Sequence, residues 1–188
     1  IHIHILLSLI AWLSVGHAQD TNNTAFGVLT PGGMFVGVDG VAVDAGRANL
    51  KESKRLTIKR IEDISSFPPL SPNPIVKAVT PYYEITAPEV IQAGGNSYFI
   101  IRVPLPAGAP TENLAVFELA DNKDVEGYPA PDEPNAEDVV DENTSEEGYT
   151  WFSSGATYVP ANNEVIFTAR DFGFRPLRFV IASGRYGQ

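Results

Sequence analysis

"VGVDGVAV", residues 36–43, is the stretch on which the fold turns. Asp39-Gly40 is a hairpin signature, because a type I′ turn needs positive φ at both central positions and Asp-Gly supplies it at little cost. A two-residue turn there predicts that Val36, Val38, Val41 and Val43 share one face, with only Gly37 and Ala42 opposite. One face is then core, and the other admits a neighbouring backbone at close range.

Outward from this hairpin the same period of two recurs. "RLTIKRI" (55–61) alternates, with Leu56 and Ile58 inward and Thr57 and Lys59 outward. In "SYFIIRVPL" (97–105), Phe99, Ile101 and Val103 form the inner set and Tyr98, Ile100 and Arg102 the outer one. Further strands are predicted at 82–86, 114–120, 155–159, 164–169 and 177–182. "FPPLSPNP" (67–74) has four prolines in eight residues. Proline neither donates to a ladder nor fits a helix interior, so this run is an extended, polyproline-like connection. Many short strands separated by Gly, Pro and Asn indicate an all-β chain, a mostly antiparallel β-sandwich.

The first twenty residues, "IHIHILLSLIAWLSVGHAQD", contain all three histidines: His2, His4 and His17. The apolar run from Ile3 to Val15 is shorter than the ~20 residues that span a bilayer. It has the proportions of a secretory h-region, and Gly16 and Ala18 stand where a signal peptidase reads small residues. The expected organisation is a signal-peptide helix over 1–18 cleaved after Ala18, a polar lead over 19–26, the sandwich over 27–182 and a tail over 183–188. The mature chain then has neither histidine nor cysteine. That excludes histidine-based nucleophilic catalysis, histidine-ligated zinc and thiolate sites. Ser53 and Lys54 are adjacent, so a strand would point them to opposite faces and no Ser-Lys dyad forms. The net charge of −10 survives loss of the leader and argues against nucleic acid as a partner. No later segment is apolar enough to span a membrane after the leader is cleaved.

"DNKDVEGYPAPDEPNAEDVVDENTSEEG" (121–148) holds eleven acidic residues, three prolines and one lysine. So charged a segment cannot bury enough apolar surface to fold alone and is expected as an acidic, flexible insertion in the sandwich. Calcium is the one metal that the composition permits, since it takes carboxylate and carbonyl oxygens. Asp121, Asn122, Asp124 and Glu126 are the candidate ligands, but the EF-hand spacing with its central glycine is missing, so no cofactor is expected. Beyond the insertion, Tyr149 and Trp151 are the candidate ligand platform, as aromatic rings on which a sugar could stack. Against this, the single tryptophan of a sandwich is more often core than platform.

Several landmarks in order resemble the ZU-five domain family, the β-sandwich of zonula occludens scaffolds, netrin receptors and ankyrins, with relatives among bacterial secreted proteins. They are "TPGG" (30–33), the Asp-Gly hairpin, "DAGRANL" (44–50), "RLTIKRI", the "YYEITAPEV…YFIIRVPLP" pair and "NNEVIFTARDFGFRPLRFVIA" (162–182). The likeness runs from Gly27 to Ala182, the insertion excepted, and implies a sandwich with a scaffolding or binding role. Some animal members cleave their own backbone before a serine. Here the matching place reads Asp171-Phe172-Gly173, and glycine has no hydroxyl to attack the preceding carbonyl, so autoproteolysis is not implied.

The expectation is an exported, non-catalytic structural or binding module, secreted or periplasmic, forming the N-terminal domain of a larger cell-surface protein. Its partner would be a protein or polysaccharide at the cell exterior. The alternative is a carbohydrate- or calcium-binding accessory domain using Trp151 and the acidic insertion. Least favoured is a carboxylate-dependent hydrolase, which needs two acids held ~5–9.5 Å apart.

Overall fold

The computed structural model describes residues 15–16, 19–21, 23–70, 76–121 and 149–184. The strands among them are, in chain order, β1 (Val15–Gly16), β2 (Gln19–Thr21), β3 (Thr24–Leu29), β4 (Met34–Val36), β5 (Ala42–Asp44), β6 (Lys54–Ile61), β7 (Lys77–Ala78) and β8 (Tyr82–Thr86). There follow β9 (Ile91–Gln92), β10 (Phe99–Pro104), β11 (Leu114–Asp121), β12 (Tyr149–Ser154), β13 (Thr157–Val159), β14 (Glu164–Ala169), β15 (Asp171–Phe172) and β16 (Leu177–Ser183). One sheet has the order β1-β4-β5-β10-β14-β13. The other runs β12-β11-β16-β8-β6-β3-β2, with β7 also pairing β16, and β15 pairs β9 in a small ribbon. All pairs are antiparallel except β1 with β4.

The chain is an all-β sandwich because alternate residues of both sheets meet in one core. Leu56, Ile58, Ile85, Phe179 and Ile181 from the larger sheet pack against Phe35, Val43, Phe99, Ile101, Val103 and Phe167 from the smaller. Phe167 and Phe179 bridge the two layers edge to face, with ring centroids 5.0 Å apart. Close approach of the layers requires Gly27, where a Cβ would collide with the Phe35 ring.

The central hairpin has the turn expected but a different register. Asp39 (φ 52°) and Gly40 (φ 77°) both take positive φ, and the Val41 N–H donates to the Val38 carbonyl at 3.0 Å. Yet Gly37 pairs with Val41 through its N–H at 2.8 Å, so Phe35 opposes Val43 and Val36 opposes Ala42. Val36 therefore leaves the predicted face and Phe35 takes its place in the core. Valines at every second position cannot specify register on their own. The volume of Phe35 decides it, together with Gly37, whose Cβ would come 2.7 Å from that of Ile58. The turn is anchored to the sandwich by buried Tyr83, whose hydroxyl donates to Asp39 Oδ2 at 3.2 Å. Burial first, and then the Asp39 carboxylate, push that phenol well above the usual tyrosine range.

One expected boundary moves. The lead over 19–26 is not separate from the sandwich, since β2 and β3 pair as a hairpin and Ala25 is buried in the core. At the end of the expected leader helix, Val15 and Gly16 are extended and pair with Met34 and Phe35, which satisfies backbone groups at the edge of β4. The rest of that leader, with all three histidines, lies outside the described residues. Asp121 is the last residue of β11 and sits directly opposite Tyr149, so the acidic segment connects two strands of one hairpin. Residues 122–148 lie outside the described residues.

Candidate functional site on a divided sheet face

The outer face of the larger sheet has two halves. On the half made by β12, β11 and β16, the outward residues Ala115, Phe117, Leu119, Trp151, Val180 and Ala182 are all buried, packed under Phe67, Leu70 and Val76 and beside Tyr82. Residues 67–70, the described part of the proline-rich run, are thus a strap across the sheet. Pro68 and Pro69, lacking N–H groups, present only carbonyls there. The indole N–H of Trp151 donates to the Pro68 carbonyl at 2.8 Å. Phe67 meets Trp151 edge to face at 6.0 Å, and Tyr82 lies against Trp151 at 5.7 Å. Burial raises the Tyr82 phenol pKa.

Trp151 is 4% exposed, so neither face of its ring is open to a sugar. The platform expected there is instead the centre of a second small core. An apolar outward face on three adjacent strands needed a cover, and the strap supplies one. Only the backbone of Tyr149, in β12, is described.

On the half made by β8, β6 and β3 nothing among the described residues covers the sheet. Phe26 is 52% and Val28 43% exposed. Cross-strand register sets Phe26 beside Thr57 and Val28 beside Arg55, with Thr86 next to Thr57 on β8. Together with Ala87 and Pro88 they line a groove of about 630 Å³. Arg55 and, two positions along the same face, Lys59 are exposed and make no ion pair among the described residues. Arg178 bonds Glu84 at 2.7 Å on the neighbouring strands, which closes the charge pattern between the two halves.

The groove wall continues around the end of the sandwich. Glu89 folds over to pair with Lys54 at 3.1 Å, and Val90 is 41% exposed. Gly173, at φ 97°, lies so close that a Cβ would come 2.5 Å from the Glu89 carbonyl oxygen. Next in the chain is Phe174, 64% exposed, between Arg170 and Arg175, both exposed and without an ion pair among the described residues.

Elsewhere, Arg102 on the smaller sheet bonds Asp44 at 2.9 Å and Glu164 at 3.0 Å, tying β5, β10 and β14 together. The hydrogen bond to Asp44 chiefly raises its pKa. This pair of carboxylates is engaged in cross-strand ion pairing. Among the described residues no group of three or more His, Cys, Asp or Glu side chains is placed to hold a metal ion. Of the calcium candidates, Asp121 ends β11, and Asn122, Asp124 and Glu126 lie outside the described residues. No helix among the described residues is long and apolar enough to cross a membrane.

Sequence reasoning passed over Phe26 and Val28 because "TNNTAFGVL" opens like a polar lead. The signal is present nonetheless: Ala25, Gly27 and Leu29 alternate with Phe26 and Val28, so both faces of one strand are apolar. No known family model matches this chain, and no curated protein matches it in sequence.

Proposed function

We propose that this protein is an exported, non-catalytic binding module of the cell exterior, a sandwich of ZU-five-like type, and that its ligand docks on the open half of the outer sheet face. One observation carries this reading: the chain covers one half of a continuous sheet face with its own strap and leaves Phe26 and Val28 bare on the other. An exposed apolar groove rimmed by polar groups on a rigid sheet is the ordinary form of an interaction surface. Arg55, Thr57 and Thr86 supply the polar rim, and register fixes their spacing.

The test is site-specific photocrosslinking on protein exported by a suitable host. A crosslinker at Thr57, in the groove, should give adducts that the Phe26→Ser variant loses. The same group at exposed Thr168, on the outer face of the other sheet, should give none. Equal labelling at both positions, or none at Thr57, would refute the docking surface. N-terminal sequencing of the same material should begin at Gln19, and a chain still beginning at Ile1 would refute export by leader cleavage.

A further inference from the structure

Resting on that reading, we infer that the ligand is an extended acidic polypeptide bearing apolar side chains, contributed by a partner, and that its path runs from the groove around the end of the sandwich to Phe174. Four exposed large hydrophobic residues mark this path. Phe26 and Val28 stand in the groove, and Ala87 and Pro88 form its wall. Val90 is two residues beyond that wall, and Phe174 follows the glycine packed against it.

Charge follows the same line. Five cations among the described residues have neither an ion pair nor a side-chain hydrogen bond: Arg55, Lys59, Lys77, Arg170 and Arg175. Arg55 lines the groove, Lys59 lies farther along the same face of β6, and Arg170 and Arg175 stand on either side of Phe174 in the chain. The acidity of the protein lies elsewhere, because residues 122–148 hold ten acids and one lysine and so account for −9 of the net −10. Outside residues 122–148 the chain carries a net −1, so the unpaired cations of the path stand against acids placed elsewhere on the sandwich, with Glu89 on the path itself engaged by Lys54.

These features select among ligands. A polyanionic sugar would satisfy the arginines and leave Val28, Val90, Ala87 and Pro88 against hydroxyl groups. An anionic membrane is flat, whereas this path turns from a sheet face onto the end of the sandwich. A second copy docked through the same face would bring the same cations against one another. A polypeptide alternating acids with apolar residues meets both demands. Along β6, Arg55 and Lys59 are about 14 Å apart and Phe26 and Val28 on β3 about 7 Å apart, at ~3.4 Å per residue. Those intervals match side chains four and two positions apart in an extended chain.

Fluorescence anisotropy on the full chain tests this with a labelled decapeptide in which Asp alternates with Val and Phe. Oligoglutamate of equal charge, oligogalacturonate and phosphatidylglycerol vesicles serve as comparison probes. The expected result is saturable binding of the decapeptide, weakened about tenfold by Arg55→Glu and by Phe174→Ser, a factor typical of losing one good contact. Both residues are exposed, and an unchanged melting temperature shows that the variants still fold. Oligoglutamate binding as tightly as the decapeptide would overturn the apolar requirement. Groove-dependent binding of the sugar or the vesicles, but not of the decapeptide, would overturn the ligand class and leave the docking surface standing. No Phe26-dependent binding of any probe would overturn both. Binding of the decapeptide only after residues 122–148 are replaced by a Gly-Ser turn would make the chain's own acidic segment the occupant and overturn the assignment to a partner.

Discussion

The two halves of the outer sheet face carry similar side chains and meet different fates. Phe117, Leu119 and Trp151 on one side, and Phe26 and Val28 on the other, all point away from the main core. The first set lies under a strap and the second lies open. Outward apolar residues in a strand therefore do not by themselves say whether a surface is core or site. The cover decides, and here the cover is a proline-rich segment distant in sequence, with Trp151 bonded to a carbonyl 83 positions away.

The sharpest way to break this comparison is to remove the keystone of the covered half. Trp151→Ala should cost about 3–5 kcal/mol, as for other buried large-to-small changes, read from urea denaturation. A loss below about 1 kcal/mol would mean that the strap adds little and that the halves do not differ in kind. Beneath the open half, Gly27→Ala drives a methyl group into the Phe35 ring. It should cost about 1–3 kcal/mol through overpacking, measured the same way, although Gly27 also borders the groove.

Replacing residues 122–148 by a short Gly-Ser turn should leave the sandwich folded and stabilise it by about 1–2 kcal/mol, from the lower entropic cost of joining the ends of β11 and β12. Thermal melting with and without calcium checks both that prediction and the absence of a calcium site. A calcium-dependent gain in the parent chain with a Kd below about 1 mM would overturn the expectation that no cation is held there.

Tyr83→Phe should cost about 1 kcal/mol by removing the hydrogen bond to Asp39. Its phenol pKa is raised in the folded state above the ordinary value of 10.0. The associated stability is therefore complete below pH 10 and is lost as pH climbs through the higher folded value. Parent protein should weaken progressively above pH 10, and the variant should show a shallower alkaline loss, with Tyr82 supplying part of what remains. Smallest of all, Phe26→Ser should change stability by no more than ~0.5 kcal/mol, as surface substitutions do. A large loss would show that Phe26 belongs to the core after all and would erase the distinction between the halves.

The strands were legible where a single parity was apolar. Phe99, Ile101 and Val103 lie inward as their alternation requires, and β14 spans the residues that its pattern marked. Register was not legible at 36–43, where valines serve either face and the arbiter, Phe35, stands one residue outside the motif. The strap was not legible as a cover, because prolines report local geometry while Phe67 meeting Trp151 is a long-range event. The groove was hidden for a related reason. Its two sides, "AFGV" and "KRLT", are unremarkable text until antiparallel pairing lays Val28 beside Arg55.

β16 divides the covered half from the open one, and its place in the sheet governs the order in which the protein can assemble. It lies between β11 and β8, so residues 177–183 must arrive before either neighbour is paired along that side. A growing chain that has reached residue 170 can form the β3–β6–β8 ribbon and the β11–β12 hairpin, but as separate pieces, each with an unpaired inner edge. The bond from Arg178 to Glu84 spans 94 positions, and such distant pairings make folding slow. Until β16 enters, two sticky edges invite association with other chains. Assembly of this sheet is therefore a late event, in which one strand joins two preformed ribbons at a stroke.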